Sequence, residues 1–577
     1  MARIRRIEIL NFRGVRFLEW MPAPGINCLI GPGDSGKSTV LDAIDLCLGA
    51  RRNIQFSDAD FFNLDVTQAI SISLTIGELG DALKNFDTYG LFLRGFDPAT
   101  GNVEDEPEKD LETVLTLTLT VQSDLEPAWT LVSDRAKAQN ATRNLTWADR
   151  VQLSPTRIGA LAESNLGWRR GSVLNRLTEE KADASAALVK AARDARETFG
   201  DDAGRQLAET LRIVGEAAKE LGIDVGDKVR ALLDAHAATF AGGTISLHNE
   251  EGVPLRGLGI GSARLLIAGL QRKAAAQSSV LLVDELEHGL EPHRIIQFLG
   301  SLGAKEKTPP LQIFMTTHSP VALRELAGNQ LFVLRETGGL HAVMNVGTDD
   351  ATQSTIRVYP DAFLAPSVLV CEGASEVGLM RGLDQYLTAQ DHASISARGV
   401  ALVDCTGGDS DRPFRRGEAF HKLGYRVAVL RDDDKKPTPG VEQAFSDAGG
   451  AVFAWRQDRA LEDELFFSLT EAAVIKLLDF AIELHGEALI EDHIKSASNG
   501  TKTLNAVQAE PMIGELSEET RVILGKAART KKAGWFKSVS WMEQVAREIV
   551  GPDLAGGGVD EGFAGILTDL FAWADNG

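Results

Sequence analysis

The chain has 577 residues, of which 44% are hydrophobic and 25% are charged, and its formal net charge is −22 at pH 7. This length predicts two to four domains, and the composition is typical of a soluble globular protein. No apolar run approaches eighteen residues and the first residues lack the apolar stretch of a signal peptide, so we expect a cytoplasmic protein without a membrane span.

The cysteine pattern and the charge bear on compartment and partner. The four cysteines, 28, 47, 371 and 405, form no Cys-x-x-Cys motif, which predicts buried thiols in a reducing compartment. The acidic net charge by itself argues against nucleic-acid binding, because phosphate binding usually needs a basic surface. A metal nuclease must nevertheless concentrate carboxylates, and bound cations reverse the local sign. Basic clusters lie at 169–170, 412–416 and 526–537, where they can contact DNA or form solvated faces.

The first motif is a glycine-rich loop between a strand and a helix. Alternating residues 3–13 and apolar residues 25–30 predict two strands, and residues 40–48 predict a helix. Between them the sequence GPGDSGKST matches the phosphate-binding loop, whose amides cradle phosphates. Lys37 would reach the β- and γ-phosphates and Ser38 would contact Mg²⁺. The predicted nucleotide contacts in this loop are Gly31, Gly33, Asp34, Ser35, Gly36, Lys37, Ser38 and Thr39.

The next segments predict strands and then a helical insert. Residues 69–76 and 113–121 have strand character, and the second run alternates apolar residues with threonine, as a strand buried on one face does. Residues 104–109 predict a charged loop. Residues 157–242 are rich in alanine, charged residues and leucine at helical spacing, which predicts an inserted helical subdomain. The insert would either be a dimerisation arm or pack on its own chain.

Three further signals follow in order. A strand at 243–247 precedes a glycine-rich turn with Gly261 and Ser262 that leads into a helix. The apolar run 280–283 ends in Asp284, which would hold Mg²⁺ through water, and Glu285, which would polarise the attacking water. After the strand 312–317, His318 stands where a sensor of the γ-phosphate is expected.

This order of motifs resembles the ABC-type ATPase heads of the RecF and SMC families, over about residues 1–345. The resemblance implies ATP sandwiched between two heads, with the signature of one head facing the phosphate loop of the other. The signature around Gly261 and Ser262 departs from the usual Leu-Ser-Gly-Gly, and no Q-loop glutamine stands out, although Asp60 is a candidate replacement. Both departures concern the rate of hydrolysis more than nucleotide binding.

The last part of the chain predicts carboxylates at the ends of parallel strands. The buried strand 368–371 is followed by Glu372 and, one helical turn later, by Glu376. The strand 426–431 is followed by Asp432 and Asp434, which face the same way because alternate residues do. Ligands gather at the carboxyl ends of strands in open α/β sheets, so the four carboxylates suit divalent cations. Either motif alone is an ordinary turn or acidic loop, but the two in order resemble the Toprim domain.

Additional segments complete this predicted domain. Strands are expected at 399–404, before the Gly407–Gly408 turn, and at 451–455, and a helix begins near 461. Glu462 at that helix start is a candidate metal ligand, although an acidic first turn also simply complements the helix dipole. A basic segment at 528–537 precedes a helix at 541–549 and offers a lysine that would stabilise charge on a scissile phosphate.

An ABC-type head followed by a Toprim domain resembles the OLD (overcoming lysogenization defect) nucleases, and is similar to the Gabija nuclease subunit. The resemblance implies metal-dependent DNA cleavage or nicking with ATP and two Mg²⁺ or Mn²⁺ ions, a homodimer or higher assembly, and anti-phage defence or DNA repair beside a helicase or other partner. By position, Glu372 and Glu376 would bind one ion, Asp432 and Asp434 the other, and Glu462 would complete the set. Lys532 or Lys537 would be the catalytic lysine, and Asp433 and Asp463 are neighbouring alternatives.

We therefore expect an α/β protein with an ATPase head at 1–156 and 243–345, the helical insert at 157–242, and a Toprim nuclease domain at 346–577. Two-metal phosphodiester hydrolysis, with access gated by nucleotide, is the expected activity. An ATP-driven DNA clamp with a non-catalytic Toprim module is the alternative, but a docking module has no need of four carboxylates. A topoisomerase would need a nucleophilic tyrosine, and none of the four tyrosines has that context. Nothing in the sequence predicts primase activity.

Overall fold

The computed structural model describes residues 2–33, 35–51, 54–159, 172–174, 190–191, 193–195, 198, 205–220, 247–252, 254–275, 279–456, 458–530 and 533–576. Its contacts divide the chain into two compact units. The first is Met1–Cys28 with Ser38–Thr317, and the second is Leu29–Lys37 with His318–Gly577. The phosphate loop is therefore assigned to the same unit as the C-terminal part of the chain.

An antiparallel sheet forms the N-terminal part of the first unit, in the order β6-β5-β7-β4-β1-β2 with β8 beside β7. Its strands are β1 (Arg3–Phe12), β2 (Val15–Trp20), β4 (Ile70–Gly77), β5 (Leu93–Phe96), β6 (Val103–Glu104), β7 (Glu112–Val121) and β8 (Pro127–Leu131). The strands predicted at 3–13, 69–76 and 113–121 are confirmed, and β6 takes the start of the predicted charged loop.

The prediction that β7 buries only one face is wrong. Thr116 and Thr118 are buried together with the apolar residues between them. The threonine side is satisfied by cross-strand hydroxyl pairs, which join Thr118 to Ser73 at 2.8 Å and Thr116 to Thr75 at 3.1 Å. A hydrogen-bonded hydroxyl can be buried at little cost, so threonine alternation does not require a solvent-facing side.

Parallel strands carry the nucleotide-related motifs of the first unit. The run β11-β10-β9 consists of β9 (Thr156–Ile158), β10 (Val280–Val283) and β11 (Gln312–Thr316), all parallel. The fully buried strand β3 (Ile26–Ile30) leads into the phosphate loop, as predicted. Continuous apolar runs in β3, β10 and β11 fit strands that are covered on both faces.

Helices make up much of the rest of this unit. In the order of the described residues they are α1 (Lys37–Leu48), α2 (Phe86–Tyr89), α3 (Asp134–Ala138), α4 (Trp147–Leu153), α5 (Ala208–Glu220), α6 (Ile260–Lys273) and α7 (Pro292–Ser301). Most of the predicted insert at 157–242, the strand predicted at 243–247 and the basic pair 169–170 lie outside the described residues or at their margin. A one-turn 3₁₀ helix, Leu255–Gly257, precedes α6.

The second unit contains a four-stranded parallel sheet in the order β15-β14-β16-β17. Its strands are β14 (Ser367–Cys371), β15 (Val400–Asp404), β16 (Arg426–Arg431) and β17 (Ala451–Ala454), and the hairpin β12 (Leu331–Thr337) and β13 (Leu340–Asn345) precedes them. The four predicted strands are confirmed. Their parallel arrangement places the carboxyl ends at one edge, where the predicted acidic residues follow.

Helices connect and cover this sheet. Before and between its strands lie α8 (Pro320–Glu325), α9 (Asp350–Val358), α10 (Ala374–Thr388), α11 (Arg412–Lys422) and α12 (Val441–Asp447). After β17 come α13 (Leu461–Ser468), α14 (Glu471–His485), α15 (Glu487–Ala497), α16 (Leu504–Ile513), α17 (Glu518–Ala528), α18 (Val539–Val545), a π-helical turn (Ala546–Val550), α19 (Gly551–Gly556) and α20 (Glu561–Asp575). The predicted link at 346–366 contains α9.

Close packing joins the first helix of the sheet to the C-terminal helices. A Cβ on Gly378 of α10 would lie 2.6 Å from the carbonyl oxygen of Val539, and one on Gly382 would lie 2.2 Å from that of Glu543. Only glycine allows α10 and α18 to approach this closely. The contact fixes the segment that precedes α18, which borders the site described next. No helix in the described part of the chain is both long and apolar enough to cross a lipid bilayer.

Candidate active site

A cavity of about 980 Å³ opens at the carboxyl ends of β14 and β16, and acidic side chains dominate its wall. The acidic side chains that line it are Glu372, Glu376, Asp404, Asp432, Asp434, Asp458 and Glu462. The basic side chains that line it are Lys435, Lys526, Arg529 and Lys537. All five carboxylates that the sequence predicts as metal ligands in the Toprim part therefore face one cavity.

Main-chain hydrogen bonds hold three of these carboxylates. The amide of Gly373 donates to Glu376 Oε2 at 2.8 Å, which fixes Glu376 in the first turn of α10. The amide of Asp432 donates to Glu372 Oε2 at 3.0 Å, so the ends of β16 and β14 are joined through a side chain. Asp432 Oδ1 accepts from the amide of Leu461 at 3.0 Å, which connects β16 to the start of α13. The backbone thus positions the acids before any ligand binds.

Glu462 is the least compensated member of the cluster. Its side chain is 2% exposed, and its Oε1 has no hydrogen-bond partner among the described residues. A buried carboxylate oxygen without a partner is costly, and native proteins retain such groups chiefly where a ligand or ion completes them. This orphaned oxygen is the feature of the cavity that points most directly to a bound cation.

Burial and like charge raise the pKa values of the cluster. Burial raises the pKa of Glu376, and the neighbouring Glu462 adds to the shift. Burial, followed by the charges of Glu376 and Glu462, holds the pKa of Asp432 well above its usual range. Burial also raises the pKa of Glu372, and it raises that of Glu462 although Lys537 acts in the opposite direction. The described groups therefore leave the cluster short of positive charge.

The donor set fits a hard divalent cation. Mg²⁺ and Mn²⁺ prefer carboxylate oxygens, and the cavity supplies seven carboxylates, of which Glu462 has a buried oxygen without a partner among the described residues. Within the described ranges, no three aspartate, glutamate, histidine or cysteine side chains stand in a ready metal-binding arrangement. Oxygens of Glu372, Glu376 and Asp432 accept amide hydrogens, which fixes their present orientation.

The neighbouring acids have different partners. Asp433 pairs with Arg431 at 3.0 Å and accepts from the amide of Asp458 at 2.9 Å, and it is absent from the cavity lining. Asp463 accepts from the amide of Ala460 at 3.1 Å and pairs with Arg529 at 3.0 Å. These contacts distinguish Asp432, Asp434 and Glu462 from the neighbours with which sequence alone could confuse them.

Of the two candidate lysines, Lys537 lines the cavity and Lys532 lies outside the described residues. The segment before Lys537 is anchored through Trp535, whose Nε1 donates to His493 Nδ1 at 3.1 Å and whose carbonyl oxygen lies 2.9 Å from His485 Nε2. Lys526 and Arg529, one helical turn apart at the end of α17, also face the cavity. Sequence reasoning noted the basic cluster at 526–537 but did not assign Arg529 or Lys435.

The phosphate loop in the second unit is closed around Lys37. Lys37 Nζ donates to the carbonyl oxygens of Gly31 at 3.0 Å and Pro32 at 2.6 Å, and it lies 3.3 Å from Ser35 Oγ. Gly31 and Gly36 have φ angles of 145° and 85°, which L-residues with a side chain rarely adopt. Asp34 lies outside the described residues, and Gly33 and Thr39 belong to the same loop and helix start.

The first unit holds Ser38, Asp284 and Glu285. Asp284 Oδ1 accepts from Ser38 Oγ at 3.0 Å and from Thr316 Oγ1 at 2.8 Å, and its Oδ2 lies 3.2 Å from Arg157. In P-loop nucleoside triphosphatases, Mg²⁺ is held by a hydroxyl at the end of the phosphate loop and a carboxylate after a buried strand, and Ser38 and Asp284 occupy these two positions. The adjacent Glu285 is exposed, with a φ of 46°.

Four other residues are predicted to act at the nucleotide site. Gly261 packs against the loop after β10 so closely that a Cβ would lie 2.4 Å from the carbonyl oxygen of Gly289. Ser262 Oγ accepts from Arg294 at 3.0 Å. His318, in the second unit, is exposed. Asp60 forms an ion pair with Arg13 at 2.9 Å and caps its own turn.

Two relatives of known name are similar to parts of the chain. The chain is 24% identical to the OLD nuclease of Thermus scotoductus over 339 residues, which are 55% of this chain and 59% of that relative. It is 44% identical to the DNA replication and repair protein RecF of Chlorobium limicola over 45 residues, 8% of this chain and 12% of RecF. The chain thus spans less than two thirds of the length of either relative.

Solved structures similar to the chain include SMC head domains. The Pyrococcus furiosus head with an extended coiled coil, bound to the C-terminal domain of ScpA, has a TM-score of 0.34 and 12% identity over 60% of this chain and 96% of its own. The head domain from Thermotoga maritima has a TM-score of 0.30 and 13% identity over 60% of this chain and 100% of its own.

A family model also matches the sequence. Residues 26–324, just over half of the chain, match the model described as "AAA domain, putative AbiEii toxin, Type IV TA system". The matched range begins at β3 and includes the phosphate loop, α6, Asp284 and His318. The chain therefore belongs to this AAA-domain family of ATPases.

Proposed function

We propose that this chain is a divalent-metal-dependent DNA endonuclease of the OLD family, which nicks or cuts DNA at the acidic cavity of its second unit. The observation that carries the proposal is the buried Glu462 Oε1, which has no partner among the described residues and lies in one cavity with the four predicted ligands Glu372, Glu376, Asp432 and Asp434. The similarity to the Thermus scotoductus OLD nuclease supports the choice of reaction. We assign the region 346–577 to a Toprim domain and the regions 1–156 and 243–345 to the ATPase head.

Mg²⁺ or Mn²⁺ would be held by two groups of carboxylates, Glu372 with Glu376 and Asp432 with Asp434, completed by Glu462. When bound, the cations supply Lewis-acid stabilisation of phosphate charge and a water nucleophile at neutral pH. The chain's own part is to present oxygens that amides of the backbone already orient. Prior orientation of ligands lowers the reorganisation that the reaction requires.

The basic residues at the cavity would receive the DNA backbone. Lys526, Arg529 and Lys537 line the same wall as the carboxylates. Lys537, held by the Trp535 anchor, is our candidate for the lysine that neutralises charge developing on the scissile phosphate, and Lys532 is the alternative. These basic side chains would allow a chain with a net charge of −22 to contact DNA phosphates locally.

ATP would bind in the region that we assign to the ATPase head. We propose that the loop 31–39 binds the phosphates, that Ser38 and Asp284 hold Mg²⁺, that Glu285 polarises water, and that Gly261, Ser262 and His318 contact nucleotide. Nucleotide binding would regulate cleavage in a homodimer or higher oligomer. We further propose that the chain acts in anti-phage defence, in a role similar to that of the Gabija nuclease subunit. Its partner there would be a helicase or another protein.

The test is cleavage of supercoiled plasmid by the full chain in Mg²⁺ or Mn²⁺, with and without ATP. Glu462→Gln and Glu372→Gln should abolish nicking and linearisation, because each removes a carboxylate from the cavity. Asp479→Asn, an exposed acid on α14 outside the cavity lining, is the matched control and should cut like wild type. Circular dichroism would establish that every variant is folded.

Two results would contradict the proposal. Cleavage that survives in both glutamine variants would place the chemistry elsewhere. Absence of cleavage in every lane, together with ATP-dependent retention of the DNA, would favour an ATP-driven clamp. Equal cleavage rates with and without ATP at all protein concentrations would contradict regulation by nucleotide while leaving the nuclease itself standing.

A further inference from the structure

We propose that Arg529 is a positioning residue that competes with the divalent cation for Asp434 and so sets the metal affinity of the cavity. The inference rests on the proposed function and deepens it, because it concerns how that same site is regulated. Arg529 is the C-cap residue directly after α17, and it lies 95 positions from Asp434 in the sequence. Neither the sequence motifs nor the predicted ligand set assigns it a role.

The geometry is that of one nitrogen shared by two carboxylates. Arg529 Nη1 lies 3.3 Å from Asp434 Oδ2 and 3.0 Å from Asp463 Oδ2. The side chains are 30% exposed for Arg529, 25% for Asp434 and 14% for Asp463, so the contacts are partly shielded from water. A cation between two carboxylates from different elements occupies the electrostatic position that a metal ion would also favour.

The two carboxylates differ in how firmly they are held. Asp463 also accepts from the amide of Ala460, and α17 packs so tightly on it that a Cβ at Gly525 would lie 2.8 Å from Asp463 Oδ1. Among the described residues, Asp434 has no hydrogen bond or ion pair except the one to Arg529. Asp463 therefore anchors the guanidinium, and Asp434 is the partner that can leave.

Arg529 also differs from the other basic side chains of the cavity. Lys435, Lys526 and Lys537 line the same cavity. Within the described part of the chain, none of them lies within ion-pair distance of Glu372, Glu376, Asp432, Asp434 or Glu462, whereas Arg529 does. A metal ion that takes Asp434 Oδ2 must replace this contact, so the energy of the ion pair is subtracted from the energy of metal binding. Removing the guanidinium should therefore strengthen metal binding.

The experiment is a titration of the EDTA-stripped full chain with Mn²⁺, in the absence of nucleotide and DNA, with free Mn²⁺ read by electron paramagnetic resonance. Arg529→Gln should bind Mn²⁺ about fivefold more tightly than wild type, the size expected for a partly exposed ion pair. Arg529→Lys, which keeps the charge, should stay close to wild type. Arg381→Gln is the matched control, because Arg381 is ion-paired with Glu543 at 2.9 Å and lies outside the cavity lining.

The Asp434→Asn background identifies the site that responds. If Arg529 acts through Asp434, then Arg529→Gln gives no gain in affinity once Asp434 is neutral. Because Ser38 and Asp284 offer a separate place for Mn²⁺, a gain that persists in Asp434→Asn would overturn the inference. A second substitution, Arg529→Ala, serves if the glutamine variant misfolds.

The remaining outcomes separate this inference from the proposed function. Unchanged or weaker Mn²⁺ binding by Arg529→Gln, beside binding that Glu462→Gln weakens, overturns only the role of Arg529. Binding that neither Glu462→Gln nor Asp434→Asn weakens overturns the metal site, and with it both proposals. Since the readout is metal binding, each outcome is reached without reference to cleavage.

Discussion

Two buried glutamates on one helix should respond to the same substitution in opposite directions. Glu462 and Glu464 both lie in the first turn of α13, and both are almost fully buried. Glu462 faces the acidic cavity with Oε1 unpartnered. Glu464 is paired with Arg456 and Arg459 and accepts from Ser468 Oγ at 2.9 Å. Glutamine keeps the shape of each side chain and removes its charge.

The magnitudes follow from these contacts. In metal-free protein, Glu462→Gln removes an uncompensated buried charge, which should raise the free energy of unfolding by about 1–3 kcal/mol. Glu464→Gln leaves two arginines short of a charged partner and should lower it by about 1–3 kcal/mol, a value reduced because Arg456 and Arg459 are 25% and 15% exposed. For a unit of this size, each kcal/mol moves the melting temperature by roughly 2–4 °C.

Thermal unfolding in EDTA, followed by circular dichroism, measures both effects. Added Mn²⁺ should then raise the melting temperature of wild type and of Glu464→Gln, and raise that of Glu462→Gln much less, because a bound ligand stabilises only the state that binds it. If Glu462→Gln lowers the melting temperature in EDTA as far as Glu464→Gln does, then Glu462 is an ordinary structural acid. The reasoning from the unpartnered oxygen would then be refuted.

Three other predictions test separate parts of the chain. Lys37→Ala removes the donor to the carbonyl oxygens of Gly31 and Pro32 and the predicted phosphate contact, so it should weaken binding of a fluorescent ATP analogue at least about tenfold in an equilibrium titration. Trp535→Phe keeps the aromatic contact with Phe466 but loses the hydrogen bond to His493, so it should cost about 1 kcal/mol in denaturant unfolding and slow cleavage by displacing Lys537. Burial acts to raise the pKa of Glu510, but hydrogen bonds from Lys502 and Thr520 outweigh it and the pKa is lowered. Its contribution is therefore complete above the ordinary glutamate pKa of 4.5 and is lost as the pH falls through the lower folded-state value, so Glu510→Gln should flatten the acid limb of a plot of melting temperature against pH.

Much of the second unit could be predicted from local sequence. Apolar runs such as Ser367–Cys371 and Arg426–Arg431 are typical of buried parallel strands. Acids directly after such strands must lie at the carboxyl edge of the sheet. Glu372 and Asp432 could therefore be placed near one another without coordinates. Similar logic placed Lys37 in its loop, because the glycines and the following helix leave few alternatives.

Long-range contacts account for what the sequence did not predict. Arg529 reaches Asp434 only because α17 packs on α13, and no local pattern records that packing. In β7 the threonines looked solvent-facing because threonine is polar, yet Ser73 and Thr75 of β4 satisfy their hydroxyls inside the protein. In both cases the interacting side chain belongs to another element, and the periodicity of one element carries no information about side chains on another.

The three acids at the start of α13 show this limit most clearly. A dipole argument treats Glu462, Asp463 and Glu464 alike, since all three sit in the first turn. Successive helical residues point about 100° apart, however, so each meets different surroundings. One enters the cavity unpaired, one caps the helix and holds Arg529, and one is neutralised by two arginines. Only the acid whose charge the protein leaves unmatched is available to a cation, and the packing of the helix decides which of the three that is.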